Sequence, residues 1–164
     1  MMDMEGVRAQ YRPQCIATLF VGESPPASGK FFYYGNTTLA RNMRAAMTAA
    51  GLCNDDDFLE RFKANGWYLD DLVLEPVNWL VKSERQRKWL EAQRSLAARI
   101  KAYKPRAIVS VLLAIEHVVY GAAKVAGSDA ELFAVPFPGM GQQARFREAM
   151  AKIVPRLPRK AAER

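Results

Sequence analysis

The chain has 164 residues, half of them hydrophobic and a quarter charged, which is the composition of a globular protein with its own core. We expect one monomeric, cytoplasmic domain over residues 1–164, because no apolar run reaches the ~20 residues that span a bilayer and the N-terminus lacks an apolar signal segment. The net charge of +7 favours DNA or another polyanion as a partner. We expect no membrane partner.

Metal-binding side chains are scarce in this sequence. Cys15 and Cys53 are the only cysteines, and His117 is the only histidine. Structural zinc and iron–sulfur sites take four such ligands, so we expect neither a metal nor another cofactor. Free cysteines are commonly buried, and we expect both thiols in the core or near the surface, with Cys15 in a buried apolar run.

Four apolar, β-branched stretches predict strands, separated by segments with helical spacing. The strands are expected at residues 15–21, 67–74, 107–113 and 131–137. Helices are expected at 39–50, 56–64, 83–104, 114–125 and 142–154. The alternation predicts an α/β fold, a three-layer α/β/α sandwich with a central four-stranded parallel sheet. The basic, proline-containing tail from about residue 155 is expected to be loose at its end.

The helix after the first strand has the clearest boundaries. Apolar residues repeat at helical spacing from Leu39 to Ala50. Either Asn36 or Thr37 can cap its start, and Gly51 can end it.

The loop GESPPASGKFFYYGN, residues 22–36, is similar to two catalytic motifs and satisfies neither. A phosphate-binding P-loop requires glycine and Ser/Thr where Ser24 and Phe31 stand, and the prolines remove backbone donors that phosphates need. A serine nucleophile elbow requires glycine where Pro26 stands, and the one histidine falls within a helical pattern. Neither nucleotide binding nor a serine triad is therefore expected.

The same loop resembles the first motif of the uracil-DNA glycosylase superfamily. In that family a buried strand ends in Gly-x-(Asp, Asn or Ala)-Pro, followed by an aromatic residue, and here LFV runs into Gly22-Glu23-Ser24-Pro25. The Gly-Glu-x-Pro form is most similar to the iron–sulfur branch. Four later segments are similar to family elements in the same order: TTLARNMRAAM, YLDDLV, KPRAIVSVL and VPFPGMGQQARFREAM. The resemblance implies a divergent uracil-DNA glycosylase-like domain without the cluster.

This resemblance implies a DNA repair enzyme that extrudes a base and hydrolyses its N-glycosidic bond. Ser24 and Glu23 would place the water, although a serine hydroxyl is no general base near neutral pH. Phe31 or Phe32 would stack on the base, and the sequence leaves open which ring packs into the core instead. The implied base-binding residues are Gly22, Pro25, Phe31, Phe32, Asp70, Asp71 and Phe137.

Two of these positions depart from the family pattern. Asp70 or Asp71 stands where relatives carry a base-reading Asn, and a carboxylate only accepts hydrogen bonds unless burial protonates it. It could instead accept from an exocyclic amine, or the two aspartates could form a capping or salt-bridging pair. Phe137 stands where relatives commonly carry a histidine that donates to the departing base.

These departures leave two further interpretations open. The chain could be a non-catalytic nucleic-acid-binding protein that retains the glycosylase fold. It could also be an enzyme that acts on a free nucleoside or small glycoside, for which a basic rim is unnecessary.

The segment before the last helix carries the implied DNA contacts. Its backbone amides could bind a phosphate at the helix start. Met140 could act as an apolar wedge between bases or simply pack in the loop. The implied DNA-binding residues are Pro138, Gly139, Met140, Gly141, Gln142 and Arg145, with Lys30, Arg41, Arg44 and Arg147 around the same mouth. We expect Arg85, Lys88 and Arg99 on the long helix to form a solvated face.

Overall fold

A computed structural model describes residues 3–160 and confirms the α/β/α sandwich. All four strands are parallel, in the order β2-β1-β3-β4. In this register Gly22 pairs with Asp71 and Val21 pairs with Ser110, so the carboxyl ends of the strands meet at one edge of the sheet. The strands are β1 (Thr18–Gly22), β2 (Trp67–Asp71), β3 (Ala107–Ser110) and β4 (Glu131–Ala134).

Six α-helices are found in the described part of the chain, one more than the sequence predicted. Helix α2 contacts α6, and α4 contacts α5. None of the helices between residues 3 and 160 has the length and apolarity needed to cross a membrane. The helices are α1 (Met4–Gln10), α2 (Thr38–Ala49), α3 (Phe58–Ala64), α4 (Lys82–Tyr103), α5 (Glu116–Val125) and α6 (Gln143–Ile153).

The start of α2 settles which residue caps it. The Thr37 hydroxyl oxygen accepts from the Ala40 amide at 3.0 Å, whereas the Asn36 side chain accepts from the Phe31 amide at 2.9 Å. Asn36 therefore fixes the preceding loop instead of the helix. Gly51 lies just past the end of α2 at φ 75°, a left-handed conformation that glycine adopts without a steric penalty.

The predicted strands were too long at their ends because apolar sequence continues beyond the hydrogen-bonded ladder. Val111 remains buried after β3, and Val73 remains buried after β2. At the other end of β1 the prediction for Cys15 was wrong: this residue is exposed, and burial of the run begins at Ile16. An apolar sequence indicates which residues are buried, whereas the bounds of a strand depend on its hydrogen bonds to neighbouring strands.

The centre of the sheet is buried on both faces, as the continuous apolar run of β1 predicts. Leu19, Phe20 and Val21 are all fully buried. The Phe20 ring lies 5.5 Å from Phe62 and 5.4 Å from Trp67, between ring centroids. Each such side chain contributes about 1.5–3 kcal/mol by burial, so this cluster holds α3 against the sheet.

The tail after α6 is attached to the amino edge of the sheet. The carbonyl oxygen of Pro158 accepts from the Thr18 hydroxyl at 2.8 Å and from the Trp67 indole at 2.9 Å. Leu157 is buried beside it. The loose end predicted for the tail falls on residues 161–164, outside the described residues.

Candidate functional site

A cavity of about 230 Å³ opens at the carboxyl ends of β1 and β2. Ligands of parallel sheets commonly bind at this edge, where loops from neighbouring strands meet. We call it the first cavity. Its lining comes from the loop after β1, the start of α2, β2 and the loop after β4: Ser24, Pro25, Pro26, Lys30, Phe31, Phe32, Thr37, Thr38, Leu39, Leu69, Asp71 and Phe137.

A second cavity of about 320 Å³ adjoins the first. The two share five lining residues, so they form one cleft with a common wall: Ser24, Pro26, Leu39, Asp71 and Phe137. The second cavity adds Gly22, Glu23, Asn78, Arg85 and Leu112. Asp71 and Phe137 thus face both halves of the cleft.

Asp71 supplies the carboxylate of the first cavity. Its Oδ2 accepts from Arg8 Nη2 at 3.1 Å, while Oδ1 accepts no hydrogen bond from any residue within 3–160. A Cβ at Gly22 would lie only 2.8 Å from this Oδ1, so the carboxylate occupies space that only glycine leaves free. Burial raises the pKa of Asp71 to about 6, and the neighbouring Arg8 partly offsets this effect. Asp71 can therefore change protonation state near neutral pH.

Asp70 lines neither cavity, so of the two aspartates that the sequence left open, Asp71 is the one at the cleft. Its carboxylate lies 2.9 Å from Arg99 Nη1 and 3.4 Å from Arg8 Nη1. Its Oδ1 also accepts from the Asp71 amide at 2.8 Å. Successive side chains of a strand point to opposite faces, which is why only one of the pair reaches the cavity. The alternative of a salt-bridging aspartate pair is confirmed, because Arg8 also pairs with Asp71 at 3.1 Å.

Arg8 is a site residue that the sequence analysis missed, because α1 was not predicted. It is only 4% exposed, and its guanidinium carbon lies 5.0 Å from the centroid of the Phe31 ring. Its Nη1 also donates to the Leu69 carbonyl at 3.3 Å. The sequence feature that could have indicated α1 is Asp3, a residue type that commonly caps helices. Its Oδ1 accepts from the Gly6 amide at 2.7 Å.

The prediction that Arg85 and Arg99 form a solvated face is wrong. Arg99 Nη1 donates to the Asp71 carbonyl at 2.7 Å, and its Nη2 donates to the Leu72 carbonyl at 3.1 Å. Arg85 pairs with Glu23, as described below. Lys88 does lie at the surface, 3.2 Å from Glu75.

Glu23 is held away from the predicted water-placing role. Arg85 Nε and Nη2 donate to its carboxylate at 2.9 and 2.7 Å, and the Trp89 indole donates to Oε2 at 2.9 Å. Both carboxylate oxygens therefore accept charge-assisted bonds from α4. The Ser24 side chain lines both cavities and makes no hydrogen bond to the residues that the structure describes.

Phe31 and Phe32 both line the first cavity, but neither presents an open ring. They are 1% and 4% exposed. Both rings pack into the core: the Phe32 centroid lies 5.9 Å from Phe58 and 5.4 Å from Phe62, and the Phe31 centroid lies 5.7 Å from Tyr33. The ring of Phe137 is 40% exposed and lines both cavities, so it is the aromatic face available to a ligand.

The loop after β4 positions Phe137 and then leaves the cleft. A Cβ at Gly139 would lie 2.9 Å from the Phe137 ring, so glycine at this position allows the ring to fold back. Met140 is 98% exposed at φ 55°, an uncommon conformation for a residue with a side chain. Pro138 is buried, and Gln142 accepts from Arg145 at 3.0 Å. None of the segment from Gly139 to Arg145 lines either cavity.

The predicted basic rim is only partly present at the cavity. Lys30 lines the first cavity. Arg41 donates to the Asn36 carbonyl at 3.2 Å, and Arg44 lines neither cavity. Arg147 faces a different groove, between α2 and α6, so its predicted position at the mouth is wrong.

Comparison with known proteins adds no assignment to this geometry. Among residues 3–160 no three His, Cys, Asp or Glu side chains are grouped so that they could hold a metal ion. No protein-family model matches the sequence, and no curated protein shows significant similarity to it.

Proposed function

We propose that this chain binds DNA, takes one extruded base into the first cavity and hydrolyses its N-glycosidic bond, as a glycosylase of deaminated or otherwise modified bases does. The observation that carries the proposal is Asp71 in the lining of a mostly apolar cavity, with an Oδ1 that accepts no hydrogen bond from the residues that the structure describes. The volume of about 230 Å³ lies below the roughly 300–1,000 Å³ of pockets for drug-sized ligands. A single heterocycle suits such a space.

The walls of the cavity match the surface of a flat ring. Pro25, Pro26 and Leu39 supply apolar contacts, and Phe137 supplies a ring that can stack on a base. The polar group at the β2 side is the Asp71 carboxylate, which would fix the orientation of the base by a hydrogen bond.

Two polar side chains of the loop after β1 would contribute to hydrolysis. The Ser24 hydroxyl can hydrogen-bond a water, although it cannot act as a general base near neutral pH. The ammonium group of Lys30 would stabilise the negative charge that develops on the departing base. In this arrangement Lys30 replaces the donor that phenylalanine at position 137 cannot provide.

A second candidate is base binding without hydrolysis. It is favoured by the Glu23 carboxylate, which Arg85 and Trp89 hold by hydrogen bonds of 2.7–2.9 Å. A carboxylate whose two oxygens are engaged in this way has fewer lone pairs with which to hold a water.

The two candidates are separated by assaying strand cleavage and DNA retention together. Labelled oligonucleotides carrying uracil, hypoxanthine, xanthine, an alkylated adenine that keeps its amino group, or a mismatch are incubated with the protein, and abasic sites are then cleaved with alkali. Breaks that disappear in Asp71→Ala but persist in Asp129→Ala, an exposed aspartate, support the glycosylase. Salt-sensitive retention that needs Asp71, without breaks, supports binding alone. Absence of both breaks and retention contradicts both candidates.

A further inference from the structure

The first cavity offers a ligand one strong acceptor. Of its polar lining groups, Lys30 carries donors only, and the Thr37 oxygen already accepts from the Ala40 amide. Ser24 and Thr38 have hydroxyls that can donate or accept. Only Asp71 carries a carboxylate, and only its Oδ1 is left without a partner among the described residues.

Arg8 determines how this carboxylate is presented. Its Nη2 donates to Oδ2 at 3.1 Å, which leaves Oδ1 beside Gly22, on the wall that the first cavity shares with the second. Arg8 itself is held from three sides: by Asp70 at 3.4 Å, by the Leu69 carbonyl at 3.3 Å and by the Phe31 ring. A guanidinium with so many contacts has little freedom to move, so the carboxylate orientation is fixed before a ligand arrives.

The charged groups around Asp71 determine its protonation. Arg8 on α1 and Arg99 on α4 favour the carboxylate, whereas burial and Asp70 on β2 favour the acid. Because the balance puts the pKa of Asp71 at about 6, the side chain is largely ionised at pH 7.5 and largely protonated at pH 5. At neutral pH Oδ1 therefore acts as an acceptor only.

We propose that the first cavity selects bases that present an amino group, and that Arg8 is the positioning residue for this selectivity. The inference rests on the proposed function and narrows its substrate to bases that keep an exocyclic amine. An amine N–H can donate to Oδ1, whereas the oxo group of uracil or hypoxanthine would direct lone pairs at a carboxylate. A hydrogen bond to a charged group changes affinity by roughly 10–100-fold, so the preference should be measurable.

Two matched pairs of free bases provide the test, because in each pair an amino group beside a ring-nitrogen acceptor is replaced by an oxo group beside a ring N–H. Binding of cytosine against uracil, and of adenine against hypoxanthine, is measured by calorimetry at pH 7.5 and pH 5. The wild-type chain should prefer the amino base by about 10-fold or more at pH 7.5. This preference should weaken at pH 5, where Asp71 gains a proton and can donate to an oxo group.

Variants then separate specificity from folding. Asp71→Asn keeps the side-chain shape but presents an amide, so it should shift the preference towards uracil, while Asp129→Asn at an exposed site should not. Arg8→Lys should move the midpoint of the pH dependence upward, because a single ammonium stabilises the Asp71 carboxylate less well than the guanidinium does. A structural role alone would lower affinity for all bases without moving this midpoint.

Each outcome has one meaning. Wild-type preference for the oxo bases, or selectivity unchanged by both pH and Asp71→Asn, overturns the amino-group inference and leaves the base-binding proposal in place. Binding of none of the four bases at pH 7.5 overturns the proposed function together with this inference.

Discussion

Replacing Arg8 by methionine tests the buried charge cluster most directly. The change removes the contacts of 3.1 Å to Asp71 and 3.4 Å to Asp70 from a site where all three side chains are at most 8% exposed. Arg99 still pairs with Asp70 at 2.9 Å, so Asp71 is the carboxylate left without a cation in contact. Breaking a buried pair from one side costs about 3–5 kcal/mol, a large part of the roughly 5–15 kcal/mol that stabilises a domain.

The size of this loss should depend on pH. The pKa of Asp71 in the folded protein is raised to about 6 from about 3.9 for an unburied aspartate, so the folded state binds the proton more tightly. The folded state therefore loses stability as pH rises through this interval. Without Arg8 the pKa of Asp71 rises further, so the folded state continues to lose stability as the pH rises above 6. We expect Arg8→Met to destabilise the protein less at pH 5 than at pH 7.5. The difference should be about 1.4 kcal/mol for each unit by which the substitution raises the pKa of Asp71.

Urea unfolding at pH 5 and pH 7.5 measures both quantities, and Arg12→Met provides the control. Arg12 is exposed and lies two residues after the end of α1, so its loss should change the free energy of unfolding by less than about 0.5 kcal/mol. A loss below about 1 kcal/mol for Arg8→Met at pH 7.5, or an equal loss at both pH values, would refute the argument that a desolvated pair holds Asp71.

Three further substitutions probe the elements around the cleft. Gly22→Ala should abolish base binding in calorimetry, because its Cβ would displace the Asp71 carboxylate from 2.8 Å, with about 1–3 kcal/mol lost in urea unfolding. Thr37→Ala removes the cap that accepts from the Ala40 amide at 3.0 Å and should lower the free energy of unfolding by about 1 kcal/mol. Phe137→Ala should weaken base binding by roughly 5–100-fold, with a smaller effect on stability because the ring is 40% exposed.

Matched controls exist for two of these substitutions. Gly35→Ala places a Cβ at φ 73° with no atom within 4 Å, so it should lower stability without affecting base binding. Thr38→Ala changes the neighbour of the cap and should leave the free energy of unfolding within about 0.5 kcal/mol. Equal effects of Gly22→Ala and Gly35→Ala on binding, or of Thr37→Ala and Thr38→Ala on stability, would contradict the assigned contacts.

The sheet could be predicted because its signals are local. The run from Leu19 to Val21 is apolar without alternation, which indicates burial on both faces, and these residues are fully buried. Alternation of such runs with helical patterns then restricts the architecture to a parallel sheet with helices on both faces. The same reasoning placed the candidate loop at the carboxyl edge, where the cleft lies.

The charge cluster could not be predicted because its contacts are distant in sequence. Arg8 is 62 and 63 residues from Asp70 and Asp71, and Arg85 is 62 residues from Glu23. Helix α1 has only seven residues, too few for a hydrophobic pattern to be distinguished from chance. Two adjacent aspartates in one strand also give no indication of which faces the cavity until the register of the sheet is known.

The burial of the Arg8–Asp71 ion pair does not by itself indicate that the pair stabilises the fold, because apolar residues of similar volume often stabilise a core as well or better. A double variant, Arg8→Met with Asp71→Leu, follows from this argument. It removes both charges at once and leaves Asp70 paired with Arg99 at 2.9 Å, so the free energy of unfolding should recover most of what Arg8→Met loses. Base binding should nevertheless be lost in the double variant, because it has no carboxylate in the lining of the first cavity. If the double variant instead binds bases as tightly as the wild type, apolar walls alone account for binding, and the Arg8–Asp71 pair has no part in recognition.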